Sequence, residues 1–314
     1  MGRLILTTVG TSLFEGGGRD ASAEERQPGE EATQHITGLQ STRAWDALAR
    51  PNQGAGAMTT LDRHENALLG LYQGWLRTDR EHHISAEVAS LRKLNPQPED
   101  RIVLLASDTV RGVVAARSVA LLCAAAPRLL QPLPEGPQAD RRDEMGQRLA
   151  ERRQSFRPQL PKPLFEADLA IALVAGLTWD ARLASNEGAD TLFRTTGCHM
   201  LAQMVSNLIC HREPQTEVIC NITGGLKSAI PFIVLVASLY DGVRLAYLFE
   251  DSPELLLLDV PRLVPPVEVE ECVGQGRPSP NAERHKLQPY FDLNARQPRL
   301  TALGEALRIA LECH

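Results

Sequence analysis

Residues 217–228 read Glu-Val-Ile-Cys-Asn-Ile-Thr-Gly-Gly-Leu-Lys-Ser, and a mostly apolar stretch that reads as a helix runs from Ser228 to Tyr240. A short β-branched run, a polar turn with two glycines and an apolar helical stretch spell strand, turn, helix, which is half of a βαβ unit. The same order occurs twice upstream. Arg3 to Val9 (RLILTTV) stops at Gly10-Thr11-Ser12, and Arg101 to Ala106 (RIVLLA) stops at Ser107-Asp108-Thr109 before a Val/Ala/Leu-rich helix to about Ala125. Asp168 to Ala175 reads as a further strand with Trp179 just past its end, and a helix from about Ala189 to Cys210 leads into the Glu217 strand. Val243 to Phe249 and Leu255 to Val260 follow as a hairpin-like pair. Strands alternating with helices predict an α/β fold with a doubly wound, mainly parallel sheet.

A chain of 314 residues allows one large α/β domain or one domain with a small appendage. With 43% hydrophobic and 23% charged residues, global disorder, collagen-like repeats and an obligate coiled coil are excluded. The formal charge of −6 argues against a protein that coats nucleic acid, so any polyanion must meet a local pocket. None of the six cysteines forms a C-x-x-C pair, which speaks against a zinc ribbon or a thioredoxin-type motif. Cys123 and Cys220 have apolar neighbours and read as buried free thiols, consistent with a reducing cytoplasm. The apolar run at the N-terminus is too short for a signal peptide and no stretch reaches transmembrane length. The expectation is a soluble, cytoplasmic protein without membrane association.

Two segments interrupt the sheet pattern, near residues 14–58 and 127–163. The first is rich in Gly, Ala, Glu and Gln with an amphipathic stretch at Trp45 to Leu48. The second carries seven prolines around a patch from Arg141 to Arg157 with six Arg against Asp143, Glu144 and Glu151. That patch reads either as a solvated helix face or as a wall lending positive charge to an anion site. Thr59 to Leu94 has apolar positions at helical spacing, enough for two helices ended by Asn95-Pro96. After Pro266 only about 50 residues remain, with helices expected over Glu283 to Phe291 and Leu300 to Glu312. The division expected is a sheet domain over 1–262 and a small appendage over 263–314.

In a doubly wound sheet, ligands sit at the carboxyl ends of the strands. Gly224 and Gly225 let backbone N–H groups approach an anion, a following helix adds the positive end of its dipole, and Lys227 adds a full charge. The bland alternative is a tight turn with a solvated lysine. A P-loop is excluded because Leu226 separates Gly225 from Lys227 and no upstream Gly sits at the required distance. The dinucleotide fingerprint is missing after the first strand, and Ser12 lacks a Gly-x-Ser-x-Gly context, so neither nicotinamide chemistry nor a nucleophile elbow is supported. His64, His82 and His83 show no metal-ligand spacing and read as surface residues, so neither a metal nor a cofactor is indicated. Arg194 and His199 form an Arg-x-x-x-x-His string, the spacing used by HEPN ribonucleases, here on a helix that leads into the sheet.

Taken together, Thr7 to Ser12, Ser107-Asp108-Thr109 and Asn221-Ile-Thr223-Gly224-Gly225-Leu-Lys227 resemble the CRISPR-associated Rossmann-fold (CARF) domain over roughly residues 1–262. The resemblance implies a Rossmann-like sheet in a homodimer that binds a cyclic oligoadenylate, tetra- or hexa-adenylate, across its two-fold axis. Symmetric ligand and symmetric protein then agree. It implies Gly10, Thr11, Ser107, Asp108, Thr109, Trp179, Asn221, Thr223, Gly224 and Gly225 as ligand-binding positions. Ser12 and Lys227 match positions that matter in the CARF ring nucleases. The closing helix resembles the winged-helix-like appendage of ring nucleases and some regulators, and the appendage is too short for an effector nuclease. From Glu283 to His314 five basic residues face four acidic ones, which makes DNA binding the weaker option. The leading expectation is a metal-independent ring nuclease in which the ribose 2′-hydroxyl attacks in line. The alternatives are a non-catalytic sensor or transcriptional regulator, and a ribonuclease using Arg194 and His199.

Overall fold

The computed structural model describes residues 2–10, 30, 85–130, 162–177, 189–225, 227–249, 254–279 and 282–313. The calls on Thr11, Ser12, Trp179, the Arg141–Arg157 patch and most of both insertions lie outside them. Seven strands form one sheet: β1 (Arg3–Thr8), β2 (Arg101–Ser107), β3 (Arg128–Leu129), β4 (Asp168–Val174), β5 (Glu217–Asn221), β6 (Val243–Leu248) and β7 (Leu255–Asp259). Their order is β3-β4-β2-β1-β5-β6-β7, with every neighbouring pair parallel except β6 and β7. The fold is α/β and Rossmann-like, as the alternation of strand and helix predicts, and the antiparallel last pair is the expected hairpin.

The strands alternate their side chains between two apolar layers, which is why residues 4–6 of β1, 102–106 of β2 and 169–174 of β4 are continuous apolar runs instead of apolar at every second residue. Ile5, Ile102, Leu104 and Ile171 face one layer, covered by α1 (Ala86–Leu94) and α2 (Val110–Cys123). Leu4, Leu6, Val103, Leu105 and Val218 face the other, covered by α3 (Cys198–Cys210) and α4 (Ile230–Ala237). The chain extends leftwards from β1 to β2 and β4, then crosses back to β5 and β6. The reversal therefore falls between β1 and β5, the place where such sheets open a crevice.

One ion pair fixes the far end of the sheet. Asp100, 2% exposed, accepts from the Arg3 N–H at 2.7 Å and from Arg3 Nε and Nη2 at 2.9 and 2.5 Å. The same guanidinium donates to the Leu94 and Asn95 carbonyls, so β1, the end of α1 and the entry to β2 meet in one network. Burial pushes the Asp100 carboxyl upward, but the bonds from Arg3 and from the Gln97 N–H outweigh it and hold it below the usual carboxylate range.

Three local readings are corrected. The helix expected from Ala189 to Cys210 begins with Ala189–Leu192, passes through a π-helical turn at Phe193–Gly197 and only then becomes α3. The helix expected from Ser228 starts as a 3₁₀ turn at Lys227–Ala229, and α4 proper begins at Ile230 with Pro231 in its first turn, where its missing N–H costs nothing. In the C-terminal part, α5 (Val267–Gly274) was not expected. The helix at Glu283 shrinks to α6 (Arg284–Leu287), because Pro289 follows and Phe291 pairs with Leu300 in a two-stranded ladder, β8 (Phe291–Asp292) and β9 (Arg299–Leu300). The last helix, α7 (Ala302–Glu312), buries Ala302, Ala306, Leu307 and Ala310 in the same layer as Leu201, Val205 and Ile209 of α3. On its outer side Arg308 is paired with Glu305 and Glu312. None of the helices in the described residues is long and apolar enough to cross a membrane.

Cys123 and Cys220 are free and fully buried, and burial pushes both thiols up to about 12. Cys210 and Cys313, 103 residues apart, form a disulfide with Cα atoms 5.7 Å apart, so the end of α7 is tied to the end of α3. Nothing in local spacing signals this pair. Alkylation of protein denatured without reductant is expected to label the four free cysteines and, after reduction, all six, read by intact mass. Six labels without reductant would contradict the bond.

Candidate functional site

The three polar turns singled out in the sequence follow β1, β2 and β5, which are adjacent in the centre of the sheet. Register brings Thr7 level with Leu104 on one side and with Asn221 on the other, so the turns begin at the same height. The turn after β1 and the turn after β5 touch. A Cβ on Gly10 would lie 2.7 Å from the Gly225 nitrogen, and one on Gly225, whose φ is +96°, would lie 2.5 Å from Thr8 Cβ. Only glycine permits both the backbone conformation and the approach. Thr8 Oγ1 donates across the gap to the Gly224 C=O at 2.5 Å.

Glu87, in the first turn of α1, lies beneath this contact and was missed by the sequence reading. It is fully buried, its Oε1 accepts the Gly10 N–H at 2.7 Å, and a Cβ on Gly224 would fall 2.1 Å from the same oxygen. A buried carboxylate is retained only where hydrogen bonds replace its hydration. The signal available was an acidic residue directly beside the apolar stripe Val88, Leu91 and Leu94. Charge in the first turn of a helix is so common that it gave no reason to single this one out.

The remaining predicted residues divide by what their side chains hold. Asn221 is fully buried: its Nδ2 donates to Ser90 Oγ at 2.8 Å, and its Oδ1 accepts from Thr223 Oγ1 at 2.8 Å. Thr223 Oγ1 in turn accepts the Leu248 N–H at 2.9 Å. The two residues shape the turn and bind it to α1 and β6. Thr109 caps α2 by accepting the Gly112 N–H, and its hydroxyl lies 2.8 Å from Ser107 Oγ. Asp108, 3% exposed, accepts the Gly176 N–H at 3.3 Å and so links the turn after β2 to the turn after β4.

Two kinds of group are left over for a ligand. Among the described residues no hydrogen bond engages the Gly224 or Gly225 N–H. Lys227, two residues on, is exposed. The expected helix dipole is weaker than the sequence suggests, because a 3₁₀ turn stands between these amides and α4. The arrangement can accept an anion through backbone N–H groups and one ammonium at the reversal point of the sheet. Arg194 and His199 lie apart from it, on the π-helical turn and α3. His199 Nε2 faces the Leu300 C=O at 3.3 Å, and its buried Nδ1 has no hydrogen-bond partner among the described residues.

The sheet and its helices define a Rossmann-like α/β protein. Residues 175–262 match the family described as CRISPR-associated protein (Cas_APE2256), a segment running from the end of β4 to just past β7 and containing the whole Asn221–Lys227 turn. At that level the role is CRISPR-related. No curated protein matches the chain.

Gly225→Ala is expected to lower the unfolding free energy by about 2–3 kcal/mol, from a side chain forced to positive φ against Thr8. Gly274→Ala, with open space around it, is expected to stay within about 1 kcal/mol of wild type. Urea denaturation compares them, and equal stability of the two variants would contradict the close approach.

Proposed function

We propose that the protein binds a cyclic oligoadenylate at this crevice and opens the ring, which switches off a signal of type III CRISPR immunity. The observation that carries the reading is the pairing of unengaged Gly224 and Gly225 amides with exposed Lys227 at the reversal point of the sheet. The CRISPR-associated family match over that same turn supports it. A ring of identical nucleotides presents repeated phosphates, and a homodimer supplies each turn twice, so two protomers meet one ring.

In the reaction the oxygen of a ribose 2′-hydroxyl attacks the adjacent phosphorus in line. The bond from phosphorus to the 5′-oxygen breaks, a 2′,3′-cyclic phosphate remains, and the proton lost from the 2′-hydroxyl is matched by one taken up at the 5′-oxygen. No protein nucleophile and no metal enter this scheme. Lys227 and the glycine amides stabilise charge building on the phosphorane oxygens, and Ser12 orients the 2′-hydroxyl or a phosphate oxygen. Ser107, Asp108 and Thr109 belong to the turn after β2, and the resemblance adds Thr11 as a ligand contact and Trp179 as the stacking partner for adenine. Glu87 is too deeply buried to act as general base on a bound ring, so turnover is expected to be slow. Its part is to hold Gly10 and the Gly224 turn together.

The test is chromatography of products from radiolabelled cyclic tetra- and hexa-adenylate in excess EDTA. Wild type is expected to yield linear products ending in a 2′,3′-cyclic phosphate, and Lys227→Ala to cut the rate about a hundredfold or more, the usual scale for losing one stabilising donor. Ser12→Ala is expected to slow cleavage while leaving binding intact. Binding without cleavage by wild type would instead favour a sensor or regulator, and absence of binding would defeat both readings.

A further inference from the structure

We propose that β7 pairs edge to edge with β7 of a second copy of the chain, antiparallel and centred on Leu257. β7 is the last strand of the sheet and has β6 on one side only. In an antiparallel pair, residues whose N–H and C=O point to the neighbour alternate with residues whose groups point away. The Val260 N–H donates to the Val243 C=O, and Leu258 and Leu256 stand opposite Leu245 and Tyr247 in the same phase. Leu255, Leu257 and Asp259 therefore turn their N–H and C=O groups to the open edge, where no described residue engages them. Such an edge is a template for another strand, and proteins that keep it single place a lysine, a proline or a bulge within it. The run Glu-Leu-Leu-Leu-Leu-Asp at 254–259 has neither lysine nor proline, and its register to β6 is unbroken.

The side chains are as open as the backbone. Leu256, Leu257 and Leu258 are 40%, 41% and 46% exposed. Leu256 and Leu258 share the face of Tyr247 and Leu245, and Phe249, 55% exposed and edge-on to the Tyr247 ring, extends the apolar surface there. Leu257 lies on the opposite face, level with Ala246. A strand added at this edge would cover leucines on both faces of the sheet.

The symmetry of the segment names the occupant. A two-fold axis at Leu257 sets Leu257 opposite its own copy, Leu255 opposite Asp259 and Leu256 opposite Leu258, so that Leu255, Leu257 and Asp259 each exchange both of their bonds. Pro253 and Pro261 stand four residues to either side of Leu257 in the sequence, and a ladder continued to either would meet a residue with no N–H to give. Moving the axis to residue 256 would set Asp259 opposite Pro253, and moving it to 258 would set Leu255 opposite Pro261. Charge agrees with the central register: Glu254 meets Val260 and Asp259 meets Leu255, so no carboxylate faces another, while leucine meets leucine on both faces. A second copy carries this frame by construction, and a foreign strand would have to match it. The contact also runs the two sheets in opposite directions, so the carboxyl ends of β1 and β5 in one copy point away from those of the other. It is therefore separate from any dimer that brings two crevices to one ring, and the proposal stands whether or not a ring is bound.

Sedimentation velocity on the full chain across a concentration series tests it. Leu257→Lys and Leu257→Glu each set like charges opposite one another at the axis, and each is expected to weaken self-association about tenfold or more relative to wild type. An equimolar mixture of the two variants is expected to restore it, because only a position that faces itself turns two repelling variants into an attracting pair. Val264→Lys, beyond Pro261 and 72% exposed, is expected to associate as wild type does. Hydrogen exchange on concentrated wild type needs no variant: the Leu255, Leu257 and Asp259 amides, which one copy alone leaves to solvent, are expected to exchange slowly. The same mass for wild type and both Leu257 variants, a mixture as weakly associated as its components, or fast exchange at all three amides would overturn the proposal.

Discussion

A single buried carboxylate sets the geometry of the crevice. Glu87 Oε1 takes the Gly10 N–H and occupies the space that a side chain at position 224 would need. Two strands that are 213 residues apart at Thr8 and Asn221 thereby end in turns that touch. A hydrogen bond to a charged group is worth about 1.5–3 kcal/mol, and leaving the carboxylate unsatisfied costs more. The glycine contacts make the arrangement unforgiving, since any side chain at 224 or 225 must displace Glu87 or Thr8. The crevice is in this sense built from backbone, and the side chains below it hold backbone in place.

Much of this was legible because it depends on short-range patterning. The strand, turn, helix order at residues 217–240 points to the parallel sheet, and the glycines of its turn, Gly224 and Gly225, mark where two turns come into close approach. The continuous apolar runs inside β1, β2 and β4 follow from burial on both faces. Long-range pairings were not legible: the Cys210–Cys313 bond spans 103 residues, and Glu87 looks like an ordinary first-turn acid until the sheet places Gly10 above it. The π-helical turn was hidden for a similar reason. Its sequence, Phe-Arg-Thr-Thr-Gly at 193–197, carries ordinary helix periodicity, and the extra residue is imposed by packing of Gly197 on the end of β4. Asn221 and Thr223 belong to the turn as expected, but their side chains are consumed in shaping it, because a buried polar group must be satisfied locally before it can serve a ligand.

Charge has to be judged at the scale of each site. The chain is acidic overall at −6, yet it offers an ammonium beside unengaged amides after β5. On the outer face of α7, by contrast, Arg308 is neutralised by Glu305 and Glu312, as on a solvated helix face.

The most direct measurement of the central claim is an amide NMR titration of the full chain with cyclic tetra- and hexa-adenylate. The account predicts that the Gly224, Gly225 and Lys227 resonances shift together and saturably with one of the rings, at a common dissociation constant. Shifts that saturate elsewhere in the molecule while these three amides stay still would contradict it.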